Sequence, residues 1–184
     1  MDIKKQQSKA SAKISNNTNH PATLFIFSGL PGVGKSTLAK KVASYYKAAY
    51  IRIDTIELEL KKNYGIEAVE KEGYLIAYKI VSDTLNIGTH VVADSCNPVN
   101  ESRISWQGVS IKSQFINIEV ICSSADIHKQ RIQRRGYPTW DEIKARAYEQ
   151  WTDKRIIIDT ANDSPKVSAT KLIKTVDQYL QDHD

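Results

Sequence analysis

Eight consecutive residues, Gly29-Leu30-Pro31-Gly32-Val33-Gly34-Lys35-Ser36, constrain this chain more than any other feature of its sequence. They spell GxxxxGK[ST]. An apolar run, Thr23–Ser28 with Leu24, Phe25, Ile26 and Phe27, precedes them, and a helical pattern from about Lys35 to Tyr46 follows. Glycines at such a strand-to-helix turn let backbone N–H groups face a polyphosphate without Cβ clashes. The helix N-terminus adds partial positive charge. At this spacing Lys35 reaches β- and γ-phosphates, and Ser36 offers a hydroxyl to Mg²⁺. The expected ligand is ATP with Mg²⁺. The expected binding residues are Gly29, Leu30, Pro31, Gly32, Val33, Gly34, Lys35, Ser36 and Thr37.

The remainder reads as alternating strands and helices. Strands are expected at Ala49–Ile53, His90–Ala93, Ile116–Cys122 and Arg155–Ile158. Helices are expected over about Thr55–Asn63, Ile66–Ile87, Ala125–Arg135, Trp140–Trp151 and Val167–Leu180. In the second of these, Tyr74, Ala77, Tyr78, Val81 and Leu85 recur at helical spacing. Such alternation implies an α/β fold, a parallel sheet with helices on both faces. At 184 residues the chain accommodates one domain, placed at 21–184. Residues 1–20 are polar, lack aromatics, and are expected to form a disordered basic tail.

Charge and composition narrow the partners. Residues 1–20 carry +3 of the net charge of +5, so the body is nearly neutral and is not a basic nucleic-acid platform. No apolar run is long enough to span a membrane, and no apolar stretch follows Lys4 and Lys5 as a secretory signal would require. Cys96 and Cys122 give no disulfide framework, and a cytoplasmic location is expected. Both cysteines are expected as small buried residues rather than nucleophiles. The sequence leaves the oligomeric state open.

Several activity classes lack their residues. No Asp begins a DxxG or ends a guanine-reading NKxD, which a switch GTPase needs. Val91-Val92-Ala93-Asp94 is followed by Ser95, so the acidic pair of a remodelling ATPase is missing. What remains is a small kinase that passes the γ-phosphoryl of Mg·ATP to an acceptor hydroxyl on a small molecule. Two alternatives stand beside it. One is a kinase of nucleotides, nucleotide sugars or nucleic-acid ends, including a toxin-type kinase. The other is a nucleotide-binding regulatory ATPase.

The chain resembles the compact P-loop kinases of the adenylate-kinase and shikimate-kinase type, over about residues 23–180. Within them it is most similar to the group of small kinases that includes zeta toxin, polynucleotide kinase and chloramphenicol phosphotransferase. The resemblance rests on Gly29–Ser36, Arg52-Ile53-Asp54-Thr55-Ile56-Glu57, Val92-Ala93-Asp94-Ser95-Cys96-Asn97-Pro98, and the arginines Arg131, Arg134 and Arg135. Arg146-Ala147-Tyr148-Glu149-Gln150-Trp151, leading to Ile157-Ile158-Asp159-Thr160-Ala161, adds a fifth segment. The resemblance implies a three-layer P-loop NTPase fold, a five-stranded parallel sheet in the order 2-3-1-4-5 with a short lid.

The resemblance also implies roles. Asp54, expected to end the second strand, would orient or deprotonate the acceptor hydroxyl; otherwise it only caps the next helix. Glu57 stands where polynucleotide kinases place an arginine, which favours a neutral or cationic acceptor. Asp94, at the end of the third strand, would hold Mg²⁺ with Ser36; otherwise it is a strand-end turn residue. Arg131, Arg134 and Arg135 share one helical turn, and phosphate nearby would relieve their repulsion. They would serve as lid cations on the transferring phosphoryl, with Gly136-Tyr137-Pro138 as the lid tip, or else form a solvated face. Arg131 could instead stack on adenine, and Arg146 is a further candidate. Asn162–Pro165 would cradle the adenine base, which favours ATP over GTP. Asn97-Pro98 reads as a turn. Beyond it, Trp106 is expected to pack and Arg103 to be solvated. Thr139 and Glu142 form a capping box.

Overall fold

A computed structural model describes residues 21–65, 71–110 and 113–183. The expected tail and the first residues of the helix expected from Ile66 lie outside the described residues. The chain runs β1 (Thr23–Ser28), α1 (Lys35–Tyr46), β2 (Ala49–Arg52), α2 (Ile53–Tyr64), α3 (Glu72–Asn86), β3 (Val91–Asp94) and α4 (Asn100–Val109). It continues through β4 (Gln114–Ile121), α5 (Ala125–Arg135), α6 (Trp140–Ala145), β5 (Ile156–Asp159) and α7 (Pro165–Asp182). The sheet has five strands in the order β2-β3-β1-β4-β5, every pair parallel. Among the described residues no helix is long and apolar enough to cross a membrane.

Residues of β1 are buried on both faces, as a central parallel strand requires. Phe25 and Phe27 enter a core with Leu38 and Val42 of α1 and Leu172 and Val176 of α7. Leu24 and Ile26 enter the opposite core with Ile53, Ala77, Val81 and Trp106. Each large aliphatic or aromatic side chain so buried contributes about 1.5–3 kcal/mol. The sandwich fixes the strand ends, and the carboxyl edge of the sheet becomes a platform for loops.

Four expectations need correction. β2 stops at Arg52, because Ile53 turns into the core as the first residue of α2. Asp54 therefore lies in the first helical turn, where the helix dipole favours a carboxylate, rather than at a strand end. α4 is a helix that the sequence hardly signals, since only Arg103 and Trp106 of its residues are buried. Arg103 is not solvated: it is 0% exposed. Finally, α6 ends at Ala145 rather than running to Trp151.

One cause connects the last two corrections. The Arg103 guanidinium donates from Nε to the Asn97 carbonyl (3.0 Å) and from Nη2 to the carbonyls of Pro98 (3.2 Å) and Glu149 (2.8 Å). Its Nη1 donates to the Gln150 carbonyl at 3.4 Å. Its central carbon lies 4.2 Å from the Trp151 ring centroid and 5.1 Å from that of Tyr148. The Glu149 N–H donates to the Pro98 carbonyl (2.8 Å), and its carboxylate accepts from the Asn100 N–H (2.6 Å). Residues 146–151 thus form an extended strap whose backbone bonds go to α4 and the turn before it. A continued helix would forfeit them.

Asn97 does more than turn the chain. It is fully buried with φ +46°, in the left-handed region that asparagine tolerates. Its Nδ2 donates to the Phe27 carbonyl (3.2 Å) and to Ser28 Oγ (3.0 Å), and its Oδ1 accepts from Trp106 Nε1 (3.0 Å). β1, α4 and the strap are joined through this residue and Arg103. The Thr139–Glu142 capping box forms as expected, and Ser164 caps α7 with Pro165 in its first turn.

The strap makes a stability prediction. Arg103→Lys removes the planar fork and leaves buried carbonyls unpaired, so it should cost about 2–4 kcal/mol in urea unfolding. Arg134→Lys, on the exposed face of α5, should change stability by less than about 0.5 kcal/mol. Equal, small effects would mean that the strap is held by something other than Arg103.

Candidate functional site

The glycine-rich turn lies between β1 and α1 and borders a cleft of about 360 Å³ at the carboxyl edge. Gly29 has φ +141°, and a Cβ there would sit 2.3 Å from the Val120 carbonyl oxygen. Gly32 has φ +84°, and its Cβ would meet Ile132 Cδ1 at 2.5 Å. Neither position admits another residue without backbone or core displacement. Neighbours pin the turn from three directions. The Gly29 N–H donates to the Cys96 carbonyl (3.1 Å), the His128 Nε2 bonds the Pro31 carbonyl (2.7 Å), and Thr160 Oγ1 donates to the Val33 carbonyl (2.6 Å).

Gly29, Leu30, Pro31, Gly32, Gly34, Lys35, Ser36 and Thr37 line the cleft. Val33 turns its side chain into the core and offers the turn only its backbone. Lys35 Nζ lies 2.9 Å from Asp94 Oδ1, and both side chains are nearly buried. The Tyr50 hydroxyl donates to Asp94 Oδ2 at 2.5 Å. Burial alone would raise the Asp94 carboxyl. The Lys35 charge and hydrogen bonds from Tyr50, Lys35 and Ser36 outweigh it, and the group stays ionised below the usual carboxylate range. Ser36 lines the cleft and Asp94 is buried against Lys35; a hydroxyl and a carboxylate are hard oxygen donors of the kind that suit Mg²⁺.

Asp54 lines the same cleft from the start of α2. Its Oδ2 is 2.5 Å from Arg52 Nη2 and 3.9 Å from Arg135 Nη2. The arginine trio does not act as one group. Arg131 lines the cleft and is tied to Thr160, donating to its Oγ1 and its carbonyl, both at 2.8 Å. Arg135 lines the cleft and faces Asp54, while Arg134 is exposed and does not line it. Arg146, at the end of α6, also lines the cleft, with Nη1 3.9 Å from Cys96 Sγ. Both cysteines are only partly buried, and burial pushes the Cys96 thiol up. Thr160, Asp163, Pro165 and Ser168 also line the cleft, and the Ser168 hydroxyl is buried without a hydrogen-bond partner.

Sequence reasoning missed Tyr50 and His128, which have no motif, and quoted Thr160 within a resemblance segment without giving it a role. Thr160 is the most connected of them. Its hydroxyl serves the Val33 carbonyl (2.6 Å), Arg131 (2.8 Å) and the Ile121 carbonyl (3.2 Å). Thr160→Val keeps the shape and removes these bonds. It should lower unfolding stability by about 1–3 kcal/mol and weaken nucleotide binding, measured by urea titration and calorimetry. Unchanged values in both would show that Thr160 does not organise the cleft.

Comparison with known proteins agrees with this geometry. The AAA_33 family profile, described as an AAA domain, matches residues 24–155. The chain is 28% identical over 178 residues to adenylyl-sulfate kinase of Oceanobacillus iheyensis, covering 89% of this chain and 86% of that one. In fold it is similar to a kinase candidate from Chloroflexus aurantiacus, with a TM-score of 0.69 and 18% identity over 89% of this chain and 98% of that one. It is also similar to the Mycobacterium tuberculosis APS kinase solved with AMPPNP and APS, with a TM-score of 0.63 and 16% identity over 86% and 99% of the two chains. The strand order, the glycine-rich turn and this family match lead to one assignment: the chain belongs to the AAA_33 family and has the P-loop kinase fold.

Proposed function

We propose that this P-loop kinase transfers the γ-phosphoryl of Mg·ATP to a hydroxyl on a small molecule. One observation carries the reading. A single cleft is lined by the phosphate-binding turn, Lys35, the carboxylate-bearing Asp54, Arg131 and Arg135. A phosphoryl donor and a hydroxyl acceptor need that juxtaposition. The adenylyl-sulfate kinase relative and the AMPPNP-bound neighbour support it.

Each residue then has a task. Lys35 leaves Asp94 to meet the β- and γ-phosphates. Ser36 and Asp94 would hold Mg²⁺, which would neutralise phosphate charge when bound. Asp54 accepts the hydrogen bond of the acceptor hydroxyl and takes its proton as the bond to phosphorus forms. Arg135 turns from Asp54 to the equatorial oxygens of the transferring group, and Arg146 faces the acceptor. Arg131, fixed by Thr160, borders the base and the α-phosphate. The unpaired Ser168 hydroxyl is available to the base, beside the loop Asn162–Pro165.

ADP release measured over a panel of hydroxyl-bearing metabolites tests the reading. One acceptor should raise turnover sharply, and Lys35→Ala should abolish that increase in a folded protein. Asp54→Asn should keep Mg·ATP binding while slowing transfer by about 10²–10⁴-fold. Asp94→Asn should demand more Mg²⁺ and lower binding and transfer together. Unchanged turnover in Lys35→Ala would remove the kinase reading.

The arginines separate in the same assay. Arg135→Ala should lower the transfer rate on the order of 10³-fold. Arg134→Ala should stay within a factor of about two, since a side chain turned to solvent has no phosphate to stabilise. Equal losses would place both on the transferring group.

A further inference from the structure

Tyr50 has no place in the nucleotide motif, yet its hydroxyl lies against the Asp94 carboxylate. Parallel pairing sets Tyr50 of β2 opposite Val92 of β3, and Arg52 opposite Asp94. Tyr50 therefore points to the same face of the sheet as Asp94, the face covered by α1, and its ring packs against that core. The hydroxyl donates to Asp94 Oδ2 at 2.5 Å, while Oδ1 faces Lys35 at 2.9 Å. Ser36 follows Lys35 in the first turn of α1 and lines the cleft.

From this arrangement we infer that Tyr50 is a positioning residue for magnesium: it fixes the plane of the Asp94 carboxylate. A carboxylate on Cβ rotates about one bond, and two donors on opposite oxygens remove that freedom. Lys35 is one of them, but it must leave for the phosphates when nucleotide arrives. Tyr50 makes no such move, because its ring is held by the core and by its strand. When Lys35 departs, Tyr50 keeps the Asp94 carboxylate in that plane. Arg52 cannot substitute, since its Nε stands 3.9 Å from Asp94 Oδ2 without a hydrogen bond and its Nη2 is committed to Asp54.

The inference rests on the reading of the cleft as a Mg·ATP site, and calorimetry with AMPPNP separates failure of one from failure of the other. AMPPNP is titrated into wild type, Tyr50→Phe and Tyr46→Phe at a series of Mg²⁺ concentrations. Tyr50→Phe keeps the ring and removes only the hydroxyl. Tyr46→Phe is the matched control, because it deletes a phenol bond to another carboxylate, Asp177, at 2.6 Å. Tyr50→Phe should raise the Mg²⁺ needed for half-maximal binding on the order of 10-fold, the usual effect of losing a partner behind a metal ligand. Saturating Mg²⁺ should restore its affinity, an outcome that general loosening of the fold would not give. Tyr46→Phe should follow wild type, and Asp94→Asn combined with Tyr50→Phe should be no worse than Asp94→Asn alone. A Mg²⁺ midpoint for Tyr50→Phe within twofold of wild type, or an affinity loss that Mg²⁺ cannot restore, would overturn the role of Tyr50. No AMPPNP binding by wild type at any Mg²⁺ concentration would overturn the cleft reading itself, and the role of Tyr50 with it.

Discussion

The buried carboxylate of Asp94 is the constraint around which the rest of the site is arranged. It is 1% exposed at the end of a central strand, so it needs donors to remain charged there. Lys35 supplies one from the glycine-rich turn and Tyr50 another from β2. The contact ties the first turn of α1 to β3 and holds the turn ready for phosphate. It also stores a choice. Lys35 can answer Asp94 or a polyphosphate, and the second carries more negative charge. Nucleotide would therefore draw the lysine out and leave Asp94 and Ser36 facing a cation.

Around this centre the protein places its cations unequally. Arg131 is fixed on Thr160, Arg135 faces Asp54, and Arg146 ends α6 where the strap begins. The strap depends on Arg103, a buried guanidinium whose hydrogen bonds run to backbone carbonyls rather than to a carboxylate. Stacking on Trp151 and Tyr148 covers its faces, so little of its charge meets a bare apolar surface. Asn97 joins this assembly to Ser28, directly before the phosphate-binding turn. The strap and the phosphate-binding turn are thereby joined through one set of hydrogen bonds. Arg135, exposed at the end of α5, is paired with Asp54 across the cleft's lining.

Much of this was legible in the sequence, for identifiable reasons. The spacing Gly29–Ser36 encodes local backbone geometry, and β1, α1 and α5 fall where their patterns put them. The strand order followed from family resemblance, not from periodicity, because register between distant strands leaves no local mark. α4 was obscured because its buried face is made of an arginine and a tryptophan, not an aliphatic stripe. The end of α6 was obscured because the competing partner for its backbone lies on Arg103, tens of residues away. Asp54 was placed one element too early, since Ile53 reads equally well as a strand end or a helix start. Tyr50 and Thr160 act through hydroxyls on ordinary strand and loop positions, so only the assembled fold reveals them.

The most direct test follows the γ-phosphoryl group itself. The protein is incubated with γ-labelled Mg·ATP and a mixture of hydroxyl-bearing metabolites, and the label is traced by phosphorus NMR. The account predicts a new phosphate ester that forms in step with ADP, and whose formation disappears when Asp54 is changed to Asn. Label recovered only as inorganic phosphate, at a rate indifferent to every metabolite and to Asp54, would contradict it.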